Sequence, residues 1–315
     1  MGRNNTVLSS RMNRRRFVKL GGSAVALLAS GTLPGKTLGA RRSKPRPKNI
    51  LLIFTDQQHI DTIAAAGCSH VKTPALDKLK RAGVNFTESY SSNPVCSPAR
   101  SSVFSGRTSC ETGVHVNGRP IRSDIPNLGQ WFSQHTDYET FYAGKWHLPR
   151  TYTQNIPGFN VVNTGIGGFG YLCDTMMSRA CEGFLHNRSR SKPFLLVASF
   201  MQPHDICEWL RLNMENPGRL RYPGLAGELP ELPDNFNFDK NEPDTIRTKR
   251  LGNEPFKGKS KWDKEHWRYY RWSYYRNIEQ VDAEIGRVLR ALEDFGYRDD
   301  TLIVFTADHG EGMGH

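Results

Sequence analysis

No Cys-x-x-Cys pair occurs in the 315 residues, although six cysteines do: Cys68, Cys96, Cys110, Cys173, Cys181 and Cys207. That spacing excludes a zinc ribbon and leaves the thiols as disulfide partners, buried groups or reactive centres. No apolar run reaches the roughly 20 residues of a spanning helix; the longest, Leu20–Leu33, has about 14. A stable membrane span is therefore not expected. No internal repeat is present, which excludes a solenoid. No Asp or Glu occurs before residue 49, whereas twelve Lys and Arg do. The net charge of +12 comes from that stretch alone: with it set aside, the remaining basic residues balance the 31 acidic ones. A basic face that would draw nucleic acid is thus missing, and no nucleic-acid partner is expected.

The basic stretch has an order of its own. Arg14, Arg15 and Arg16 precede Phe17, Val18 and Lys19, then the apolar run, then Gly39-Ala40 before Arg41. This fits a twin-arginine export signal over residues 1–40, with residues 41–48 (RRSKPRPK) as a tether. It implies the Tat translocase as a partner and a periplasmic or extracellular location.

Beyond residue 48, Asn49–Thr55 (NILLIFT), Tyr138–Ala143, Pro193–Phe200 (PFLLVASF) and Thr301–Thr306 (TLIVFT) read as strands. Val84–Tyr90 reads as a further one. Helices are expected at Thr73–Ala82, Ser97–Ser105, Asn127–His135 and Leu172–Asn187. The strongest is Trp262–Phe295, with Ile278, Val281, Ile285, Val288, Leu289 and Leu292 on one stripe. Residues 208–261 hold no steady period and read as a long irregular insertion. Strands alternating with helices predict an α/β class, a layered α/β/α fold around a large, mostly parallel sheet. Ligands in such folds bind beyond the carboxyl ends of the strands. Two strands there run into carboxylates, NILLIFT into Asp56 and TLIVFT through Ala307 into Asp308. Together they make a metal cradle.

The segment Pro94–Gly106 (PVCSPARSSVFSG) carries the most chemistry. Pro98 sets Cys96 just before a helix N-terminus, where unpaired N–H groups favour negative charge. Arg100, a turn later, can present a forked donor pair to an oxyanion. Read alone, the same residues fit a buried thiol, a capping Ser97 and an arginine on a solvated face. Likewise Lys145-Trp146-His147 alone fits a surface cluster, Pro203-His204 a loop, and Asp308 a cap.

Taken together, the segments resemble the type I, formylglycine-dependent sulfatases of the alkaline-phosphatase-like superfamily. Cys96-Ser97-Pro98-Ala99-Arg100 resembles that family's Cys-x-Pro-x-Arg signature. Ala143-Gly144-Lys145-Trp146-His147 is similar to its second signature, and Pro203-His204 and Thr306-Ala307-Asp308-His309-Gly310 follow in the family's order. The resemblance runs from about Asn49 to the end. Ser105 and Asp137 depart from the signatures, and Gln57 stands where many members have a second Asp. The family continues past the Asp-His-Gly segment with a lysine and a smaller C-terminal domain. Residues 49–315 are thus expected to be a catalytic domain incomplete at its C-terminus, an N-terminal fragment with the small domain absent.

The resemblance implies the following roles. Cys96 becomes formylglycine (3-oxoalanine) through the formylglycine-generating enzyme. Asp56, residue 96, Asp308 and His309 hold Ca2+, with Mg2+ or Mn2+ left open and Gln57 an open fifth ligand. Arg100 and Lys145 hold the nucleophile and neutralise sulfate. His147 is the base of the release step, and His204 binds sulfate or protonates the leaving oxygen. The substrate is a sulfated carbohydrate or other glycan, or a small aryl or alkyl sulfate. Two alternatives stand beside this: a phosphodiesterase or phosphonate monoester hydrolase of the same superfamily, and an inactive binding module.

Overall fold

The computed structural model describes residues 49–165, 169–213, 223–237, 241–246 and 262–314. The expected signal (1–40), the tether (41–48) and much of the 208–261 insertion lie outside them.

Among the described residues, five strands form one sheet: β1 (Asn49–Asp56), β2 (Glu139–Gly144), β3 (Asn160–Asn163), β4 (Phe194–Pro203) and β5 (Thr301–Ala307). Their order is β3-β2-β4-β1-β5 and every pairing is parallel. β1 and β4 lie inside the sheet and are covered on both faces, which is why they read as unbroken apolar runs. Their side chains alternate between two cores. On one face, Leu51, Ile53, Leu196, Ala198 and Phe200 pack on Met177, Cys181 and Leu185 of one helix and on Val281, Ile285, Val288 and Leu292 of another. On the other, Leu52, Leu195, Val197 and Tyr142 meet Phe104, Val114, Trp146, Leu148 and Phe159. The result is the layered α/β/α class expected above.

The helices are α1 (Pro74–Ala82), α2 (Cys96–Ser105), α3 (Ser109–Thr112), α4 (Leu128–His135), α5 (Gly170–Asn187), α6 (Ile206–Asn213) and α7 (Lys264–Asp294). α4 starts with a reciprocal capping box between Asn127 and Gln130. A third cluster joins Ile206 and Leu210 of α6 to Trp262 and to Tyr270, Tyr274 and Ile278 of α7. Among the described residues no helix is long and apolar enough to cross a membrane. None of the six cysteines is in a disulfide.

Three expectations need correction. Val84–Tyr90 forms no strand: no neighbouring strand pairs with it among the described residues, and Val84, Phe86 and Tyr90 are 82%, 78% and 83% exposed. β5 is not fully buried; it lies at the edge of the described sheet with Leu302 and Val304 exposed. Residues 206–213, which run into the expected irregular insertion, form α6, held by Ile206 and Leu210 one turn apart on its buried side.

Candidate active site

β1 and β5 are adjacent and in register up to Thr55 and Ala307, and Asp308 N–H continues the ladder by donating to Thr55 O at 3.2 Å. Asp56 and Asp308 therefore emerge side by side at the carboxyl end of the sheet. Asp308 Oδ1 accepts from the N–H groups of Gln57 (2.9 Å) and His309 (2.8 Å), which orients the carboxylate.

Cys96 arrives from the other side as the first residue of α2, with Val95 as the N-cap. It lies one position inside the helix rather than just before it. Its Sγ is 3.6 Å from Asp56 Oδ1 and 3.3 Å from His309 Nε2. Ser97 anchors this turn: its N–H donates to Asn117 Oδ1 (2.9 Å) and its hydroxyl to His147 O (2.6 Å).

Arg100 and Lys145 balance the two carboxylates. Arg100 Nη2 donates to Asp56 Oδ2 and its Nε to Asp308 Oδ2, both at 3.0 Å. Its Nη1 reaches Lys145 O (2.8 Å) and Ser199 Oγ (3.0 Å), and the guanidinium lies over the Phe54 ring. The fork thus binds the carboxylates, not a vacant anion pocket as the sequence suggests. Lys145 Nζ pairs with Asp56 Oδ2. All four side chains are no more than 1% exposed, so each charge is met by its partner rather than by water. Gly144 makes the approach of Lys145 possible: at φ +97° its Cβ would lie 1.9 Å from Ser199 O.

These charges set the protonation states. Burial opposes ionisation of Asp56, but Lys145, His204, Arg100 and His309 together hold its carboxyl well below the usual range. Burial, then the Asp56 charge, pushes Asp308 up. Burial and Asp56 also push the Cys96 thiol up, so this pocket disfavours a thiolate nucleophile. Burial, reinforced by Lys145 and Arg100, lowers His147 to about 3. Burial lowers His204 to about 4 against the opposing pull of Asp56. Both imidazoles are neutral at neutral pH. Among the described residues, His147 Nδ1 is buried without a hydrogen-bond partner.

The structure thus brings Asp56, Cys96, Arg100, Lys145, His204, Asp308 and His309 into one electrostatic cluster, with His147 at its edge. Gln57 joins it through its backbone N–H, which donates to Asp308. Its side-chain amide donates to Glu311 (2.5 Å), and its Oε1 accepts from Cys207 Sγ (3.4 Å). Sequence reading missed Ser199, whose hydroxyl holds Arg100 and Lys145 O, and Tyr142, whose hydroxyl donates to Lys145 O at 2.6 Å. A serine inside the apolar run FLLVASF was the available signal.

Four ligand atoms, one each from Asp56, Cys96, Asp308 and His309, lie within 4.8 Å of one another. The donor set fits a cation. His309 Nδ1 faces Gly310 O at 2.8 Å, which assigns the ring proton to Nδ1 and leaves the Nε2 lone pair facing the cluster. Asp56 adds a carboxylate kept ionised.

The sulfatase family model matches residues 48–315. The chain is 28% identical over 295 residues to the Delta 4,5-hexuronate-2-O-sulfatase of Bacteroides thetaiotaomicron, covering 87% of this chain and 59% of that protein. It is 26% identical over 299 residues to an ulvan-active sulfatase of Formosa agariphila, covering 87% and 52%. The solved structure of a 2-O GAG sulfatase superposes with a TM-score of 0.73 at 25% identity, over 85% of this chain and 59% of that one. The phosphonate monoester hydrolase of Agrobacterium radiobacter shares the fold, with a TM-score of 0.64 at 24% identity over 85% and 64%. The chain therefore spans between about half and two thirds of the length of these relatives. With a match that takes in both strand-end carboxylates, Cys96, Lys145 and His309, the chain belongs to the sulfatase family.

Proposed function

We propose that the protein hydrolyses sulfate esters, with residue 96 as nucleophile after conversion to formylglycine. The observation that carries this is the placement of Cys96 Sγ between Asp56 and His309, with Asp56 itself paired to the buried Arg100 and Lys145. Sulfate esters resist attack because their oxygens shield sulfur with negative charge; fixed positive groups remove that barrier.

Asp56, Asp308 and His309 would hold a divalent cation together with residue 96. Ca2+ is favoured, and Mg2+ or Mn2+ are the other hard candidates. Such a cation withdraws charge from sulfate and lowers the pKa of an oxygen bound to it. A hydrated formylglycine would supply one hydroxyl oxygen that attacks sulfur as the sulfur–oxygen bond to the alcohol breaks, and a second hydroxyl whose loss of a proton re-forms the aldehyde and expels sulfate. Arg100 holds Asp56 and Asp308 at fixed separation. Lys145, buried and cationic, sits where a sulfate oxygen can share its charge with Asp56. His147 enters neutral, with an unspent ring nitrogen, and accepts the proton of the second hydroxyl. His204, also neutral, offers an N–H to the leaving oxygen.

The relatives named for hexuronate 2-O-sulfate and for ulvan support a sulfated carbohydrate as substrate. Partners follow from the chemistry: a formylglycine-generating enzyme for residue 96, and the Tat translocase for the Arg14-Arg15 segment, with a periplasmic or extracellular destination. Activity in osmotic-shock fluid rather than in the cytoplasm tests the location. The reaction is tested with sulfate monoesters, phosphate monoesters and phosphate diesters side by side, alongside the mass of the peptide containing residue 96. Sulfate release with an aldehyde at residue 96 is expected. Turnover of phosphodiesters alone would assign the protein to the phosphoryl branch of the fold, and an unmodified thiol without turnover to a binding role.

A further inference from the structure

His204 sits on a turn whose backbone has lost its sheet partners. β4 pairs with β2 only as far as Ser199, and with β1 it slips between Ser199 and Pro203. The N–H groups of Met201 and Gln202 fall in that gap. Both are taken by one side chain: Met201 N–H donates to Asp174 Oδ1 at 2.6 Å, and Gln202 N–H to Asp174 Oδ2 at 2.9 Å. Asp174 projects from the second turn of α5 and is 3% exposed.

The traffic also runs the other way. Asp205, next to His204, accepts from the first two N–H groups of α5, Gly170 at 2.8 Å and Tyr171 at 3.2 Å. α5 has no cap from its own N-cap residue, Phe169, so Asp205 serves that end. Gln202 ties the two halves together: its Nε2 donates to Asp205 Oδ2 (2.7 Å) and its Oε1 accepts from Asp205 N–H (3.3 Å). Gly170 allows the approach, since a Cβ there would lie 2.8 Å from the Gln202 side chain. An acidic side chain as buried as Asp174 is costly, and an apolar residue would pack there more cheaply. What it supplies is a fixed direction for the chain at Met201–Asp205.

We propose that Asp174 and Asp205 form a two-way clasp that fixes His204 against the leaving-group oxygen, and so act as positioning residues for that step. This rests on the role given to His204 above. None of these clasp hydrogen bonds involves the four candidate cation ligands, so its loss is expected to act on departure of the alcohol.

The test is a leaving-group series, from aryl sulfates with acidic phenols to alkyl sulfates, measured with the wild type, Asp174→Asn, His204→Ala and the double variant. Asp174→Asn is expected to lower kcat by about tenfold to 100-fold on alkyl sulfates, the scale of a small misplacement of a reacting group. On the most activated aryl sulfate it is expected to leave kcat unchanged within error. His204→Ala shows the same trend more steeply, and Asp174→Asn adds nothing in its background. Should Asp174→Asn not accumulate as folded protein, Asp205→Asn, on the partly exposed side of the clasp, carries the same expectation. Uniform loss across the series, or full additivity with His204→Ala, overturns the clasp while His204 keeps its role. If His204→Ala itself shows no leaving-group dependence, the assignment of His204 falls, and the clasp with it.

Discussion

Cys96 Sγ lies 3.3 Å from His309 Nε2, although 213 positions separate the two residues in the chain. One opens a helix and the other follows the edge strand of the described sheet, and they meet because α2 begins beside Asp56, at the carboxyl end where β1 and β5 finish together. His309 Nδ1 is committed to Gly310 O, so Nε2 has its lone pair to give. The expected consequence is cation-dependent stability. At a hundredfold excess over Kd, a cation that binds only the folded protein adds about 2.7 kcal/mol. Thermal unfolding with Ca2+ and with chelator is expected to show this rise in the wild type and its loss in Asp308→Asn and His309→Ala. Equal shifts in all three would place the cation elsewhere.

Arg100 stands between two carboxylates with no water to share its charge. Arg100→Met leaves Asp56 and Asp308 facing each other across one lysine. The expected cost is about 3–5 kcal/mol, typical of removing one partner of a buried pair. Urea unfolding measures it. Because a dication answers the same repulsion, added Ca2+ is expected to recover part of the loss. A cost under about 1 kcal/mol, the range of an exposed pair, would contradict the burial-based account.

Asp282 of α7 accepts from Ala75 N–H (3.0 Å) and Leu76 N–H (2.9 Å), the orphan donors of the first turn of α1. Thr73, the N-cap of α1, makes no side-chain cap bond, so the cap comes from a helix about 200 residues away in sequence. Asp282→Ala is expected to cost about 1–3 kcal/mol, the penalty for leaving buried donors unmet. Asp282→Asn keeps one acceptor and is expected to cost less. Denaturation midpoints of the two variants check the order.

His204 gives the pH dependence a definite sign. Its folded pKa is lowered to about 4 from the ordinary 6.5. Between those values the unfolded chain binds a proton that the folded chain refuses, so this contribution to stability is lost as pH falls. Asp174, pushed up to about 8, and Asp282, pushed up to about 6, act with the opposite sign. The difference between proteins therefore carries the information. His204→Gln is expected to gain stability relative to wild type as pH drops from 6.5 towards 4, by up to about 1.4 kcal/mol per pH unit. Parallel curves would mean that His204 titrates normally.

Much of this architecture was legible in the residues themselves. β1 and β4 read as strands because a parallel interior strand is apolar on both faces. Pro98 marked the first turn of α2, and the stripe from Ile278 to Leu292 marked α7. The strand-end positions of Asp56 and Asp308 followed from these. What stayed hidden depends on partners distant in the chain. β3 is only four residues, Asn160–Asn163, and is a strand because β2 lies beside it. Val84–Tyr90 carries a strand composition but has no neighbour among the described residues. Nothing local in Arg100 says that its fork binds two carboxylates, and nothing local in Asp174 says that it meets the end of β4.

The most direct measurement is the initial rate of sulfate release from an activated aryl sulfate, with saturating Ca2+, by the wild type and by Cys96→Ala purified from a host that makes formylglycine. The account requires release by the wild type and a fall to background in the variant, with the two proteins unfolding at similar temperatures. A Cys96→Ala protein that releases sulfate as fast as the wild type would mean that residue 96 is not the nucleophile.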